Sequence, residues 1–320
     1  MPPIARRMLL ALPALSCPAL AQTARPLVLL VPFAPGGASD IAARAFSSRM
    51  AERQGRPVVV ENRPGANGQL AARILARAAP DGQTLLVGSI GVFALNTVLS
   101  RNPGYDPLTD FAPVMLAITT PNILVVNTRR VPARDLPGLV AWMRANPAEV
   151  SHATSGIGSS PHLTMELFTQ RTGTEAQHVP ARGGATAVMD LVAGTVPLSF
   201  QGLGSVIGPV REGRLRALFV TAPARAPLLP DVPTAAEAGL PDFEVGSWQA
   251  VMAPAGTPAA MRAQLAEEIT SILREPAVSG PLEAGGYTVV GGTPEEYDAF
   301  QRAEIARWRR VAEASGIVLD

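Results

Sequence analysis

A strand-length apolar run, a glycine turn and a segment of helical period follow one another repeatedly along this chain, and that alternation limits its fold more than any other feature. Leu27 to Phe33 is continuously apolar and Ala34-Pro35-Gly36-Gly37-Ala38 forms a turn. Ala42, Phe46 and Met50 then recur at i+4 steps, with Ile41 and Ala45 beside them, up to Gln54-Gly55. Ser39 or Asp40 is placed to cap that helix. Pro57 to Glu61 reads as a second strand, residues 62–68 lead into a helix ending near Ala79-Pro80, and Asp81-Gly82 turns into a third strand, Thr84 to Gly88. Strands and helices alternating through short turns build right-handed βαβ units on a parallel sheet, so the expected class is α/β.

The same grammar returns after an apolar stretch from Val114 to Val126, which Thr119-Thr120-Pro121 interrupts. It is long for one strand and is expected to carry the chain from a first lobe into a second. That second lobe reads as helix Leu136 to Ala145, strand Val150 to Ala153, a Gly/Ser loop and helix His162 to Thr172. Strand Ala176 to Val179, the corner Arg182-Gly183-Gly184, helix Ala185 to Ala193 and strand Val196 to Phe200 follow, with Leu215 to Thr221 as the return. Lobe 1 is then residues 22–120 plus 221–320, and lobe 2 is residues 121–220. In the tail, Thr257-Pro258 marks a cap and first-turn proline ahead of Met261, Leu265, Ile269 and Leu273, and Pro276 stops that helix. Thr293-Pro294-Glu295-Glu296 is a capping box. Val31-Pro32 with Gly36-Gly37-Ala38-Ser39 is echoed by Val179-Pro180 with Gly183-Gly184-Ala185-Thr186, although coincidence accounts for so short a match equally well.

Residues 1–26 hold a basic pair, Arg6 and Arg7, an apolar run from Met8 to Leu20, and the small-x-small sequence Ala19-Leu20-Ala21. This is the pattern of a secretory signal peptide cut after Ala21. A membrane anchor is the alternative, but the run is short and Pro13 and Pro18 interrupt it. Arg6-Arg7-Met8-Leu9-Leu10 also partly fits the twin-arginine pattern, so the export route stays open. Cys17 is the sole cysteine, and Ala14-Leu15-Ser16 before it fits a lipobox poorly. Cleavage would leave no cysteine, and with it no disulfide, thiolate nucleophile or thiolate metal site. All 27 basic residues are Arg, set among 26 acidic ones without a basic stripe, so nucleic acid is not an expected partner. At 320 residues, 47% hydrophobic and 17% charged, the chain can bury a large core, enough for about two domains. The mature chain is expected to be soluble, outside the cytoplasmic membrane.

The corner from Phe33 to Asp40 is the sharpest candidate site. Gly36 and Gly37 let several N–H groups converge, and the helix behind them adds its positive end, so Phe33, Gly36, Gly37, Ala38, Ser39 and Asp40 suit a small anion. A plain βα turn capped by Ser39 and Asp40 is the competing reading, and Asp40 already occupies part of that positive field. The Lys and the spacing of a nucleotide P-loop are missing. In Thr154-Ser155-Gly156-Ile157-Gly158-Ser159-Ser160-Pro161-His162, Pro161 suits a first helical turn and Ser160 its cap, which frees Ser155, Gly158 and Ser159 to bind oxygens. Pro161 stands where a dinucleotide loop needs its third glycine, and no Gly-x-Ser-x-Gly elbow occurs. Arg182 beside Gly183 can hold a carboxylate in a bidentate pair, or be one more solvated surface Arg. Two corners and one Arg can account for micromolar binding, about −8 kcal/mol, after ordering costs. His152, His162 and His178 fall at no metal-ligand spacing and read as capping or packing residues. No metal and no cofactor is expected.

Longer strings carry a resemblance. Val31 to Gly37 with Asp40 and Ala43-Arg44, then Glu61-Asn62-Arg63-Pro64-Gly65-Ala66 and Ala79-Pro80-Asp81-Gly82-Gln83-Thr84-Leu85-Leu86, resemble the Bug-type receptors of tripartite tricarboxylate transporters. Tyr105-Asp106-Pro107, Asp110 to Val114, Ser155 to Ser159, His178-Val179-Pro180, Leu229 to Thr234 and Ala253 to Pro258 extend the match, in order, over nearly the whole mature chain. The resemblance implies a two-lobed periplasmic-binding-protein fold, type II-like, each lobe a parallel-rich sheet flanked by helices. It implies capture of a small carboxylate between the lobes and delivery to membrane permease subunits. The carboxylate would sit at the Phe33 to Asp40 corner, with the serine-glycine loop and the loop after His178 closing from lobe 2. Relatives often carry Tyr where Ala181 stands, a change that would widen the pocket. Ser89, Asn96 and Gln201 follow strands at positions expected to face the cleft. The protein is expected to be a monomer. An exported enzyme using Arg182 and the serines on an acid or phosphate ester is the competing class, but no base stands beside a nucleophile. A receptor signalling to a membrane kinase is a third reading.

Overall fold

A computed structural model describes residues 25–181 and 183–315. The expected signal peptide and Arg182 therefore lie outside the described residues. In chain order the first strands and helices are β1 (Leu27–Val31), α1 (Ala38–Gln54), β2 (Val58–Asn62), α2 (Gln69–Ala76) and β3 (Thr84–Ser89). β1 lies between β2 and β3 and is parallel to both, as the βαβ reading requires. Its side chains alternate: Leu27, Leu29 and Val31 pack on the layer with Phe46 and Met50, while Leu30 faces the layer with Leu75 and Phe93. Gly55 ends α1 in the left-handed conformation, φ 61°.

After β3 a π-helical turn, Gly91–Leu95, leads into the short helix α3 (Asn96–Leu99), which the sequence did not announce. β4 (Phe111–Asn127) then runs as one strand of 17 residues through Pro121 instead of breaking there. The next elements are α4 (Leu136–Ala145), β5 (Ser151–Thr154), α5 (Ser160–Thr172), β6 (Gln177–Pro180), α6 (Gly184–Ala193), β7 (Leu198–Gly202), α7 (Leu203–Arg211) and β8 (Leu215–Val220). The chain closes with β9 (Gly246–Pro254), α8 (Ala259–Leu273), α9 (Pro276–Ala284), β10 (Thr288–Gly291) and α10 (Pro294–Ser315).

β4 belongs to two sheets. Up to Pro121 it pairs antiparallel with β9, and β10 lies on its other side. From Asn122 it pairs with β7 and β8. Pro121, which has no N–H to donate, stands where the partners change. Gly246 faces it, and a Cβ there would lie 2.9 Å from Thr120 O, so the close crossing needs glycine. Around this antiparallel centre each sheet keeps a parallel part, β2-β1-β3 in one and β7-β5-β6 in the other. Helices cover both faces of each sheet. The second core gathers Phe168, Phe200, Phe219 and Phe243 on one face and Ile123, Val125 and Leu191 on the other.

Several sequence expectations need correction. β8 is not the return to the first sheet: Ala226, Leu229, Ala235, Leu240 and Phe243, all beyond it, still pack into the second core, and the chain crosses back at β9. Gly37 caps α1, with Ser39 and Asp40 inside the first turn, and Ser159 instead of Ser160 stands at the cap of α5. The Thr257 hydroxyl donates to Pro254 O and leaves Pro258 as the cap of α8. Pro276 opens α9 in its first turn. The capping box of α10 is present, with Thr293 N donating to Glu296 Oε2 at 2.8 Å and Glu296 N to Thr293 Oγ1 at 3.2 Å. Among the described residues no helix is long and apolar enough to cross a membrane.

Candidate ligand-binding site

Both candidate loops leave the carboxyl ends of parallel strands, where open α/β sheets place ligands. In the first, Gly36 has φ +83° with open space where a Cβ would stand. Its N–H donates to Asp40 Oδ2 at 2.9 Å. Asp40 is 3% exposed, and Arg44 Nε donates to the same oxygen at 2.9 Å while Asn62 Nδ2 donates to Oδ1 at 3.0 Å. Asn62 also reaches Phe33 O at 3.0 Å, which ties the loop down at both ends. Burial alone would raise the Asp40 pKa, but the bonds from Arg44, Gly36 and Asn62 outweigh it and hold the carboxyl below its usual range. Its oxygens are thus engaged inside the corner, where Asp40 shapes the loop. No side chain caps α1, which leaves its first-turn amides and positive end directed at the space beside Gly36 and Gly37.

Ser39 Oγ donates to Gln249 Oε1 at 2.6 Å. Gln249 is level with Ser89 across the β3–β9 pair, and the Cβ of an alanine at 91 would lie 3.4 Å from Ser89 Oγ. Ser39, Ser89 and Gln249 thus form one polar row. Asn96 is not in it. The π turn carries Asn96 into the core at 0% exposure, where its Nδ2 donates to Asn67 O at 3.0 Å and Tyr105 Oη at 3.1 Å, and its Oδ1 accepts from Asn67 Nδ2 at 2.9 Å. It fixes the loop at Ala66 and Asn67, both in the left-handed region at φ 45° and 50°.

In the second loop Gly156 and Gly158 take φ 131° and 72°, and the built Cβ of Gly156 lies 3.8 Å from Ala181 O. The loops holding Ser155, Gly158, Ser159 and Ala181 therefore adjoin. Gly183 caps α6 and Ser159 caps α5, neither making a side-chain cap bond among the described residues. Among the described residues Ser159 Oγ is buried without a hydrogen-bond partner, the kind of atom that a ligand oxygen satisfies. Gln201 was expected to face the cleft; its Nε2 instead braces β5 and β7 through Ala153 O at 3.2 Å and Ser199 Oγ at 2.8 Å. Asn122, at the changeover of β4, donates to Ser160 Oγ at 2.8 Å and Thr164 Oγ1 at 2.7 Å, which fastens the hinge strand to the start of α5.

The three histidines come together under this loop. His162 and His178 stack with ring centroids 3.9 Å apart, and His152 lies 5.0 Å from His178. Burial, then the other two rings, pulls the His152 pKa down to about 3; burial and then His178 take His162 to about 4, and burial lowers His178 as well. All are neutral at pH 7. The sequence missed this cluster, along with Asn62, Asn67 and Gln249. The hydroxyl–imidazole contact here, Thr154 Oγ1 to His178 Nε2 at 2.7 Å, joins a fully buried threonine to the ring and is poorly placed for attack on a solute. Among the described residues no group of His, Asp and Glu is arranged to hold a metal ion.

The family model of the tripartite tricarboxylate transporter receptors matches residues 42–317. Protein BugT of Bordetella pertussis is 37% identical over 308 residues, 95% of this chain and 94% of that one. Among solved structures, R. palustris Rpa4515 with adipate is similar at TM-score 0.85 and 37% identity, covering 93% of this chain and 99% of the other. MatC from Rhodopseudomonas palustris with bound malate follows at TM-score 0.82 and 34% identity, covering 90% and 99%. Fold, motif order and length agree throughout: the chain belongs to the tripartite tricarboxylate transporter receptor family and has its two-lobed α/β periplasmic-binding-protein fold.

Proposed function

We propose that this protein is a receptor that captures a small carboxylate between the Phe33 to Asp40 corner and the Ser155 to Ser159 loop and delivers it to a tripartite tricarboxylate-type membrane transporter. The observation that carries this reading is the family membership together with adipate and malate in two relatives that match almost the full chain. Uncapped starts of α1, α5 and α6 and the orphan Ser159 hydroxyl supply donors for carboxylate oxygens. The proposed contacts are Phe33, Gly36, Gly37, Ala38, Ser39 and Ser89 from one side, and Ser155, Gly158, Ser159, Ala181, Arg182 and Gly183 from the other. Asp40, Asn96 and Gln201 hold those loops in place. We place the first lobe boundary at Pro121 and the second near Gly246 instead of residue 221, on the packing of residues 226–243. The protein acts in the periplasm as a monomer after cleavage behind Ala21, without catalysis.

Thermal shift of the chain from Gln22 onward, against mono-, di- and tricarboxylates, amino acids and phosphate esters, tests this. A concentration-dependent rise confined to carboxylates supports the reading, and a rise with phosphate esters alone, accompanied by turnover, replaces it with the enzyme.

A further inference from the structure

His162 is wired into the proposed ligand loop. Its Nδ1 accepts the Gly158 N–H at 3.1 Å, a bond fully buried in the protein. A backbone N–H can only donate, so Nδ1 must present a lone pair and the ring proton must sit on Nε2, which lies 3.6 Å from Glu166 Oε1. Next to it, Thr154 Oγ1 accepts the Gly156 N–H at 3.2 Å and contacts His178 Nε2 at 2.7 Å. Of the two glycines that give the loop its left-handed turns, Gly158 is held by the His162 imidazole itself and Gly156 by the Thr154 hydroxyl that His178 contacts.

We propose that His162 is a positioning residue for the Ser155 to Ser159 loop, holding it through the Gly158 amide only while the imidazole is neutral, so that a proton on Nδ1 releases the loop. The inference rests on the receptor reading for its meaning in ligand capture. A protonated Nδ1 would turn a donor toward a donor, and the Gly158 amide would lose its buried partner. The neighbours work against that proton. His178 stacks on the ring at 3.9 Å and His152 lies 6.3 Å away, while Glu166 is the nearby group that would favour it. β4 and β7, which pack on α5, contain no titratable side chain. α10 packs there too and brings Glu304, which accepts from Trp248 and Trp308, and Arg307, 3.6 Å from Glu304. The loop is therefore held firmly at neutral pH and loosens in acid.

Asn places its Oδ1 where His carries Nδ1, which separates holding from titrating. Amide hydrogen exchange of the 155–159 segment is followed on protein purified after export, as wild type, His162→Asn and His162→Leu, with rates corrected for pH. At pH 7 the Asn variant should stay within about twofold of wild type and the Leu variant should exchange roughly tenfold faster. On acidification wild type should lose protection and the Asn variant should not. If His162→Leu fails to fold, His162→Gln, whose carbonyl sits one methylene too far, takes its place with the same expected loss. Wild-type protection in the Leu variant, or an Asn variant as fast as Leu, overturns the inference. Adipate added to the same samples separates the two ideas. Loop behaviour as expected with no adipate-dependent protection in any form speaks against the receptor reading alone. Equal protection by adipate in wild type and His162→Leu speaks against the positioning role alone.

Discussion

The Gly36 N–H donates to Asp40 Oδ2 at 2.9 Å, closing a ring over residues 36–40 at the mouth of α1. The carboxylate most exposed to suspicion as a ligand contact is therefore the brace of the loop that would make the contact. Asp40→Ala strips Gly36, Asn62 and Arg44 of their acceptor at a buried site, and is expected to cost roughly 2–4 kcal/mol of stability and weaken ligand binding together. Chemical denaturation of the ligand-free protein checks it. An unchanged midpoint with binding lost would return Asp40 to the ligand.

Gly204, at the start of α7, packs against the loop before β10 so closely that a Cβ on it would lie 1.8 Å from Gly285 O. Gly286 in the same loop has φ +77°, and its carbonyl accepts from Thr120 Oγ1 at 2.9 Å, beside the changeover in β4. Backbone cannot yield as a flexible side chain does, so Gly204→Ala is expected to destabilise by about 2 kcal/mol or more. A variant with wild-type stability by urea unfolding would show that this contact is looser than described.

His152 is fully buried and, among the described residues, neither ring nitrogen has a hydrogen-bond partner. The unfolded chain titrates this ring near its ordinary pKa of about 6.5, whereas the folded one holds it near 3 and His162 near 4. Between those values the unfolded state binds more protons, so stability is full above about pH 6.5 and falls as pH drops toward 4 and then 3. His152→Leu removes one of the titrating groups and two orphan atoms. Its urea midpoint should match or exceed wild type at pH 7, and its loss on going to pH 4.5 should be smaller. A steeper acid loss in the variant would contradict this.

Asn96 and Asn67 exchange hydrogen bonds at 2.9 and 3.0 Å and hold residue 67 in a left-handed conformation that Asn tolerates better than most residues. Asn96→Leu should cost about 2–3 kcal/mol by denaturation, since Asn67 and the Tyr105 hydroxyl lose a buried partner. Asn67→Gly should cost much less. Equal losses for the two would contradict this and place the cost in the Asn67 side-chain amide, since glycine keeps the left-handed conformation open.

Much of this fold was legible because burial period and turn chemistry agree locally. β1 to β3 and α4 to α6 announce themselves by apolar runs, i+4 steps and glycines, and α10 by its capping box. The crossing back at β9 was not legible: Gly246 to Pro254 is a buried strand without alternation, and its place between β3 and β4 is set by pairing partners over a hundred residues away. The inward place of Asn96 is not legible because the π turn ahead of it gives no sequence signal, and the bracing role of Gln201 is not legible because it depends on a neighbouring strand's carbonyl. The histidine cluster depends on the register that sets His152 beside His178 and on α5 laying His162 across them. Spacing along the chain carries none of that.

Isothermal titration calorimetry tests the central claim most directly, using the chain from Gln22 onward, unfolded and refolded to strip any carried solute, with adipate and malate first and other small carboxylates after. A carboxylate receptor gives saturable one-site heat with at least one of these acids, at micromolar affinity or tighter, and none with phosphate esters. A folded, stripped protein that gives no heat with any carboxylate would contradict it.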